Sequence, residues 1–132
     1  MIYFTSDFHM SHSNILKYCP DRPWKTVEEM NEGLIRNWNA VVNPSDSVYF
    51  LGDFSLGFPA VEKFTSRLLG EKVLINGNHD FTHAANKKSR TPERQDKWIT
   101  KYLEAGWDQV LVEWRLLLKN GVMARLNHLP YL

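Results

Sequence analysis

Two hydrophobic rhythms alternate along this chain. Ile2-Tyr3-Phe4-Thr5, Ser47-Val48-Tyr49-Phe50-Leu51 and Lys72-Val73-Leu74-Ile75 are short runs rich in β-branched and aromatic residues, and they predict buried strands. Elsewhere apolar residues recur every three or four positions. Met30, Leu34, Trp38 and Val41 predict a helix over 27–42, opened by the capping box Thr26-Val27-Glu28-Glu29. Val61, Phe64, Leu68 and Leu69 predict another over 59–69, stopped by Gly70. A short helix over 14–18, capped by Ser11 or Ser13, and a helix over 92–105 complete the helical set. Residues 107–118 read as one strand. Lys119-Asn120-Gly121 turns it back into Val122–Asn127 as an antiparallel addition. Strand and helix alternate through the first 80 residues, which implies an α/β layout with a parallel sheet. The carboxyl ends of its strands are the expected functional edge.

Each predicted strand of that sheet stops at a polar turn. The three turns are Ser6-Asp7-Phe8-His9, Gly52-Asp53 and Asn76-Gly77-Asn78-His79-Asp80. Carboxylates, imidazoles and an amide presented on stiff turns at converging strand ends are the means of building a two-metal site. In the Asn-Gly pair, Gly77 is expected to supply a positive φ. His128 again lies at the end of a predicted strand.

At 132 residues the chain is expected to form a single domain, 1–132. Sixteen Lys and Arg against fifteen Asp and Glu leave a formal charge of +1, so any attraction to nucleic acid or membrane must be local. The local candidate is Lys87, Lys88, Arg90, Arg94, Lys97 and Lys101, opposed by Glu93 and Asp96. This stretch reads either as a solvated loop and helix or as a basic lid over an anionic substrate. Cys19, the sole cysteine, excludes an intramolecular disulfide and fits a reducing, cytoplasmic setting. The N-terminus lacks the pattern of a signal peptide, and no apolar run reaches the roughly 20 residues of a membrane helix. His12 reads as a solvent-facing histidine or a contact to the site. The five tryptophans read as core or rim packing, with base stacking as the alternative.

Together, Asp7-Phe8-His9, Gly52-Asp53, Gly77-Asn78-His79-Asp80 and His128 resemble the calcineurin-like metallophosphoesterases, most closely their short bacterial and phage members. The resemblance spans essentially the whole chain. It implies a β-sandwich core flanked by helices and hydrolysis of phosphate mono- or diesters by a metal-activated hydroxide. It further implies two divalent ions, manganese foremost, with iron, zinc, nickel or magnesium as alternatives. By resemblance Asp7 and His9 hold one ion, Asp53 bridges both, and Asn78 with His128 holds the second. His79 acts on the substrate, and Asp80 orients its imidazole. The family's closing Gly-His-x-His block is absent from these residues, which stop four positions after His128. The fold is therefore expected to be incomplete at the C-terminus, with a ligand missing from each metal and an apolar face open around 107–128. Self-association through that face and loss of turnover form the alternative reading. A nucleic-acid-binding module based on the basic stretch is a third.

Overall fold

The computed structural model describes residues 1–129. Strands β1 (Ile2–Thr5), β2 (Ser47–Phe50), β3 (Glu71–Ile75) and β4 (Gln109–Leu111) form one sheet in that spatial order, every neighbouring pair parallel. Helices α1 (Ile15–Tyr18), α2 (Val27–Val41), α3 (Phe58–Phe64) and α4 (Pro92–Ala105) connect the strands. Strands β5 (Trp114–Leu117) and β6 (Met123–Leu126) make an antiparallel hairpin. The two β layers expected of a sandwich are present but unequal, four strands against two.

Local chemistry accounts for most boundaries. The Thr26 side chain accepts from the Glu29 N–H at 3.1 Å, while Glu29 Oε2 accepts from the Lys25 N–H instead of closing the box onto Thr26. One donor at the helix start is thus satisfied as expected, and the reciprocal bond falls one residue earlier. The predicted helix over 59–69 is shorter than its periodicity. α3 ends at Phe64, a 3-10 turn spans Thr65–Arg67, and Gly70 follows at φ 85°. At α1 the cap position is Asn14, without a side-chain cap bond, so neither Ser11 nor Ser13 holds it.

The single strand expected over 107–118 is two strands in different layers. Gln109, Val110 and Leu111 pair with Val73, Leu74 and Ile75 as the fourth parallel strand. Trp107 just before them is buried in the core. The chain then changes layer at Val112-Glu113, and a Glu113–Arg125 ion pair of 2.8 Å ties the start of the hairpin to its return. Pairing partners set this break, since no glycine or proline marks it.

Side chains alternate across the sheet. Val48, Phe50, Leu74 and Val110 face the helices, where they meet Trp38, Val61, Phe64 and Tyr102. The Phe50 ring stands edge-on to Phe8, Phe54 and Trp107, with centroids 4.9, 5.5 and 5.8 Å away. On the opposite face Val73 and Ile75 are covered by Leu126 and Ala124 of the hairpin. Ile2, Phe4, Trp114, Leu117, Val122 and Met123 are exposed. Among the described residues, no helix is long and apolar enough to cross a membrane.

Candidate metal centre

The three polar turns lie side by side beyond the carboxyl ends of β1, β2 and β3. Asp7, His9 and Asp53 adopt positive φ, at 58°, 51° and 58°, which is costly for residues with a Cβ. Their neighbours hold them there. The Asp7 N–H donates to Gly52 O, the His9 N–H to Asp53 O and the Met10 N–H to Phe54 O. Phe8 and Phe54, each directly after one of the carboxylates, plug into the aromatic core. Arg22 reaches over from the Pro20–Pro23 loop and donates to the carbonyls of Asp7 and Phe8 at 2.7 and 2.9 Å.

Asp80 locks the second and third turns together. Its Oδ2 accepts from the N–H groups of Asp53 and Gly77, both at 2.8 Å, and its Oδ1 accepts from Phe54 N–H at 3.0 Å. Asp53 Oδ1 in return accepts from the His79 N–H at 3.0 Å. Burial pushes the Asp80 carboxyl up to about 6, although all three N–H donors favour its ionised form. The expectation that Asp80 orients the His79 imidazole is therefore corrected. Its hydrogen bonds among the described residues go to backbone amides, because the carboxylate lies beneath the turns while His79 is exposed above them.

Gly77 also works differently from the expectation. It is not among the positive-φ glycines; Gly52, at φ 95°, is. What Gly77 provides is space, since a Cβ there would stand 2.2 Å from Asp53 Oδ1 and 2.6 Å from Asp53 N.

Five expected ligands come together in this frame. Asp7, Asp53 and His128 each offer a ligand atom within 4.8 Å of the others. His9 Nε2 lies 3.4 Å from Asp7 Oδ1 and 3.9 Å from Asp53 Oδ2. His128 Nε2 lies 3.5 Å from Asp53 Oδ2 and 3.2 Å from Asn78 Oδ1. The other nitrogen of His128, Nδ1, donates to Leu51 O at 2.6 Å, which fixes the ring with Nε2 directed at the cluster. Burial holds His9 below the ordinary imidazole value against the pull of Asp53 and Asp7. Two carboxylates, an amide oxygen and two imidazole nitrogens thus face one another, a donor set that fits divalent cations.

His79 stands at the mouth with its ring centroid 6.0 Å from that of His9. The half-buried His12 ring lies 6.1 Å from that of His9, which makes it a neighbour of the site. His83, which stands alone in the sequence outside any Gly-His-x-His block, also lies near the site. Its Nδ1 accepts from the Ala85 N–H, and burial together with the nearby His128 holds it below the ordinary imidazole value. Phe8 and Phe54 escaped sequence reasoning, though the repeated Asp-Phe pair at 7–8 and 53–54 was a usable signal.

Residues 1–130 match the family model described as calcineurin-like phosphoesterase, a family of metal-dependent phosphoesterases. An uncharacterized protein of Methanocaldococcus jannaschii is 52% identical over 82 residues, which cover 60% of this chain and 46% of that protein. The Gene 66 protein of Mycobacterium phage D29 is 34% identical over 136 aligned positions, covering 98% of this chain and 64% of the phage protein. A crystal structure of a protein of unknown function from Aquifex aeolicus superposes with a TM-score of 0.71 at 28% identity, over 98% of this chain and 61% of that one. The chain therefore spans between about half and two thirds of the length of these relatives.

Proposed function

Because this chain belongs to the calcineurin-like phosphoesterase family, we propose that it hydrolyses phosphate mono- or diesters with two divalent ions, manganese foremost. The observation that carries this reading is the convergence of Asp7, His9, Asp53, Asn78 and His128 at the carboxyl edge of the sheet, with their acceptor atoms facing one another. When bound, the ions would supply Lewis acidity toward phosphate oxygens and a water deprotonated near neutral pH.

The chain's own residues divide the remaining work. Asp7 and His9 would hold one ion, Asn78 and His128 the other, and Asp53 would serve both, since Oδ2 is the atom that faces the two histidines. Asp80 keeps Asp53 in place through the Asp53 and Phe54 amides. His79, exposed beside His9 and tied to Asp53 only through its backbone, is free to donate a proton to the departing ester oxygen. Turnover of an aryl phosphodiester by the Mn²⁺-loaded chain tests the division. His79→Ala should keep the bound metal and lose at least about 100-fold in rate, in line with general acid catalysis of about 10²–10⁴-fold. Metal loss in that variant equal to that in Asp53→Ala would overturn it.

A second reading is a chain that binds or self-associates without turnover. The exposed apolar side chains of β1 and the hairpin, including Phe4, Trp114, Leu117 and Met123, favour it. Light scattering at high micromolar concentration decides: a dimer or larger species supports it, and a monomer that turns substrate over removes it.

A further inference from the structure

The positive charges of this chain are handled in two ways. Arg67 pairs with Glu32 and Arg125 with Glu113, while Arg22 and the Lys72 ammonium are taken up by backbone carbonyls. Lys87, Lys88, Arg90, Arg94 and Lys97 instead line one open cleft of about 480 Å³ together with Trp98. Among the described residues none of these five has an ion pair with an acid, and all five are exposed. Lys88 also lies over the Phe81 ring, 5.4 Å from its centroid. Five like charges around one cleft repel one another in a chain whose net charge is only +1. An anionic occupant relieves that repulsion.

Placement narrows the occupant. Arg94, Lys97, Trp98 and Lys101 recur at i, i+3, i+4 and i+7 along α4, so cations and indole share one stripe. Trp98 is held edge-on by Phe58 and Phe81, with centroids 5.3 and 4.9 Å away, and is half-buried. The short 3-10 turn Lys87–Ser89 is joined directly to the candidate metal centre. Asn86 donates to the carbonyls of Asn78 and His79 at 3.3 and 3.4 Å and accepts from the Lys88 N–H at 3.0 Å. Ser89 anchors the same turn to Phe81 O. The turn that brings Lys87 and Lys88 to the cleft is thus held on the backbone of two site residues, and the cleft itself gathers several cations and one fixed aromatic ring.

We propose that this cleft binds single-stranded nucleic acid, with successive phosphates on Lys87, Lys88, Arg90, Arg94 and Lys97 and a base against Trp98. A single phosphomonoester would use one or two of these cations, whereas a repeating phosphodiester backbone uses all of them. A positive groove with an aromatic platform is how single strands are held without sequence preference. The proposal deepens the hydrolase reading, on which it depends for cleavage but not for binding.

Binding is therefore measured apart from catalysis, as fluorescence anisotropy of a labelled oligothymidylate in chelator, over a range of salt. The wild-type chain should bind with an affinity that falls steeply with salt. The triple variant Lys87→Ala/Arg94→Ala/Lys97→Ala should weaken binding at least about 10-fold and flatten the log–log salt slope by about 2, at roughly 0.7 for each phosphate no longer neutralised. The control Lys17→Ala/Lys25→Ala/Lys119→Ala removes the same charge from exposed positions outside the cleft and should bind like wild type. Equal weakening in both triples would reduce the effect to net charge and overturn the proposal. So would absence of oligonucleotide binding, or cleft-dependent binding to phosphatidylserine vesicles without binding to the oligonucleotide. Cleft-dependent oligonucleotide binding by a metal-loaded chain that turns over no phosphoester would uphold the cleft while removing the hydrolase reading.

Discussion

On one face of the parallel sheet Phe8, Trp38, Phe50, Phe54 and Trp107 interlock beneath the helices. On the other, Val73, Ile75 and Leu126 form the buried cluster and a two-stranded hairpin is the cover. The candidate metal centre draws on both. Asp7, His9, Asp53 and Asn78 stand on turns tied together by Asp80 and the backbone, with Phe8 and Phe54 plugged into the thicker face. His128 follows β6, whose Leu126 packs on the thinner face, and its ring bridges Leu51 O and Asn78 Oδ1. Four ligands are therefore coupled to the global stability of the fold. The fifth is coupled to a smaller, separable unit.

The largest effect should come from the thick face. Phe50→Ala removes the ring that Phe8, Phe54 and Trp107 all contact, and it should cost about 3–5 kcal/mol. Urea unfolding measures it, and a destabilisation below about 1 kcal/mol would deny that this face carries the fold. Gly77→Ala attacks the join between turns. Its Cβ would overlap Asp53 Oδ1, so stability should fall by about 1–3 kcal/mol and Mn²⁺ affinity should drop as well. Calorimetric titration that finds wild-type affinity in this variant would contradict the close packing described.

Leu126→Ala sharpens the comparison from the thin side. It should cost about 2 kcal/mol, the low end for a buried leucine, because the cluster around it is small. Mn²⁺ affinity should nevertheless fall by about 10-fold, the size of effect seen when a ligand's support is removed. A large drop in stability with unchanged metal affinity would show that the hairpin supports the fold and not the site.

The smallest effect concerns the rim opposite the site. Lys72 is buried with its ammonium on the carbonyls of Leu68 and Gly70, and burial lowers it from the ordinary lysine value. The folded chain then binds fewer protons than the unfolded chain between the lowered value and the ordinary one, so stability rises with pH across that window. The wild type should gain slightly over Lys72→Met in urea midpoint as pH rises from about 8 toward about 10. A difference that is flat or shrinks would reverse the sign.

The site was more legible than the sheet that carries it. The polar turns that carry Asp7, His9, Asp53, Asn78 and His128 could be located because each follows an apolar run and strand ends are recognisable from local composition, while the choice of those five as ligands came from the family resemblance. Three features were not legible because they arise from contacts between distant segments. The division of 107–118 between two layers depends on Val73–Ile75 offering an edge to Gln109–Leu111. The function of Gly77 depends on how near Asp53 comes, which no turn propensity encodes. Asp80 lies next to His79 in sequence yet bonds to amides 26 and 27 residues away, because the parallel strands bring those turns over it. The basic cleft lies between these extremes. Its charges were evident in the sequence, but their gathering around Trp98 required α4 and the turn at Lys87–Ser89 to be placed.

Catalysis, the role of His79 and the weight placed on the hairpin all presuppose that the five ligands facing one another at the sheet edge hold divalent metal. Titration calorimetry of Mn²⁺ into the 132-residue chain, with elemental analysis of the loaded sample, is the decisive measurement. About two ions should bind per wild-type chain. Asp53→Asn should abolish binding at both positions, because Asp53 faces both histidines. Absence of saturable binding in the wild type, or Asp53→Asn binding as the wild type does, would contradict the metal centre.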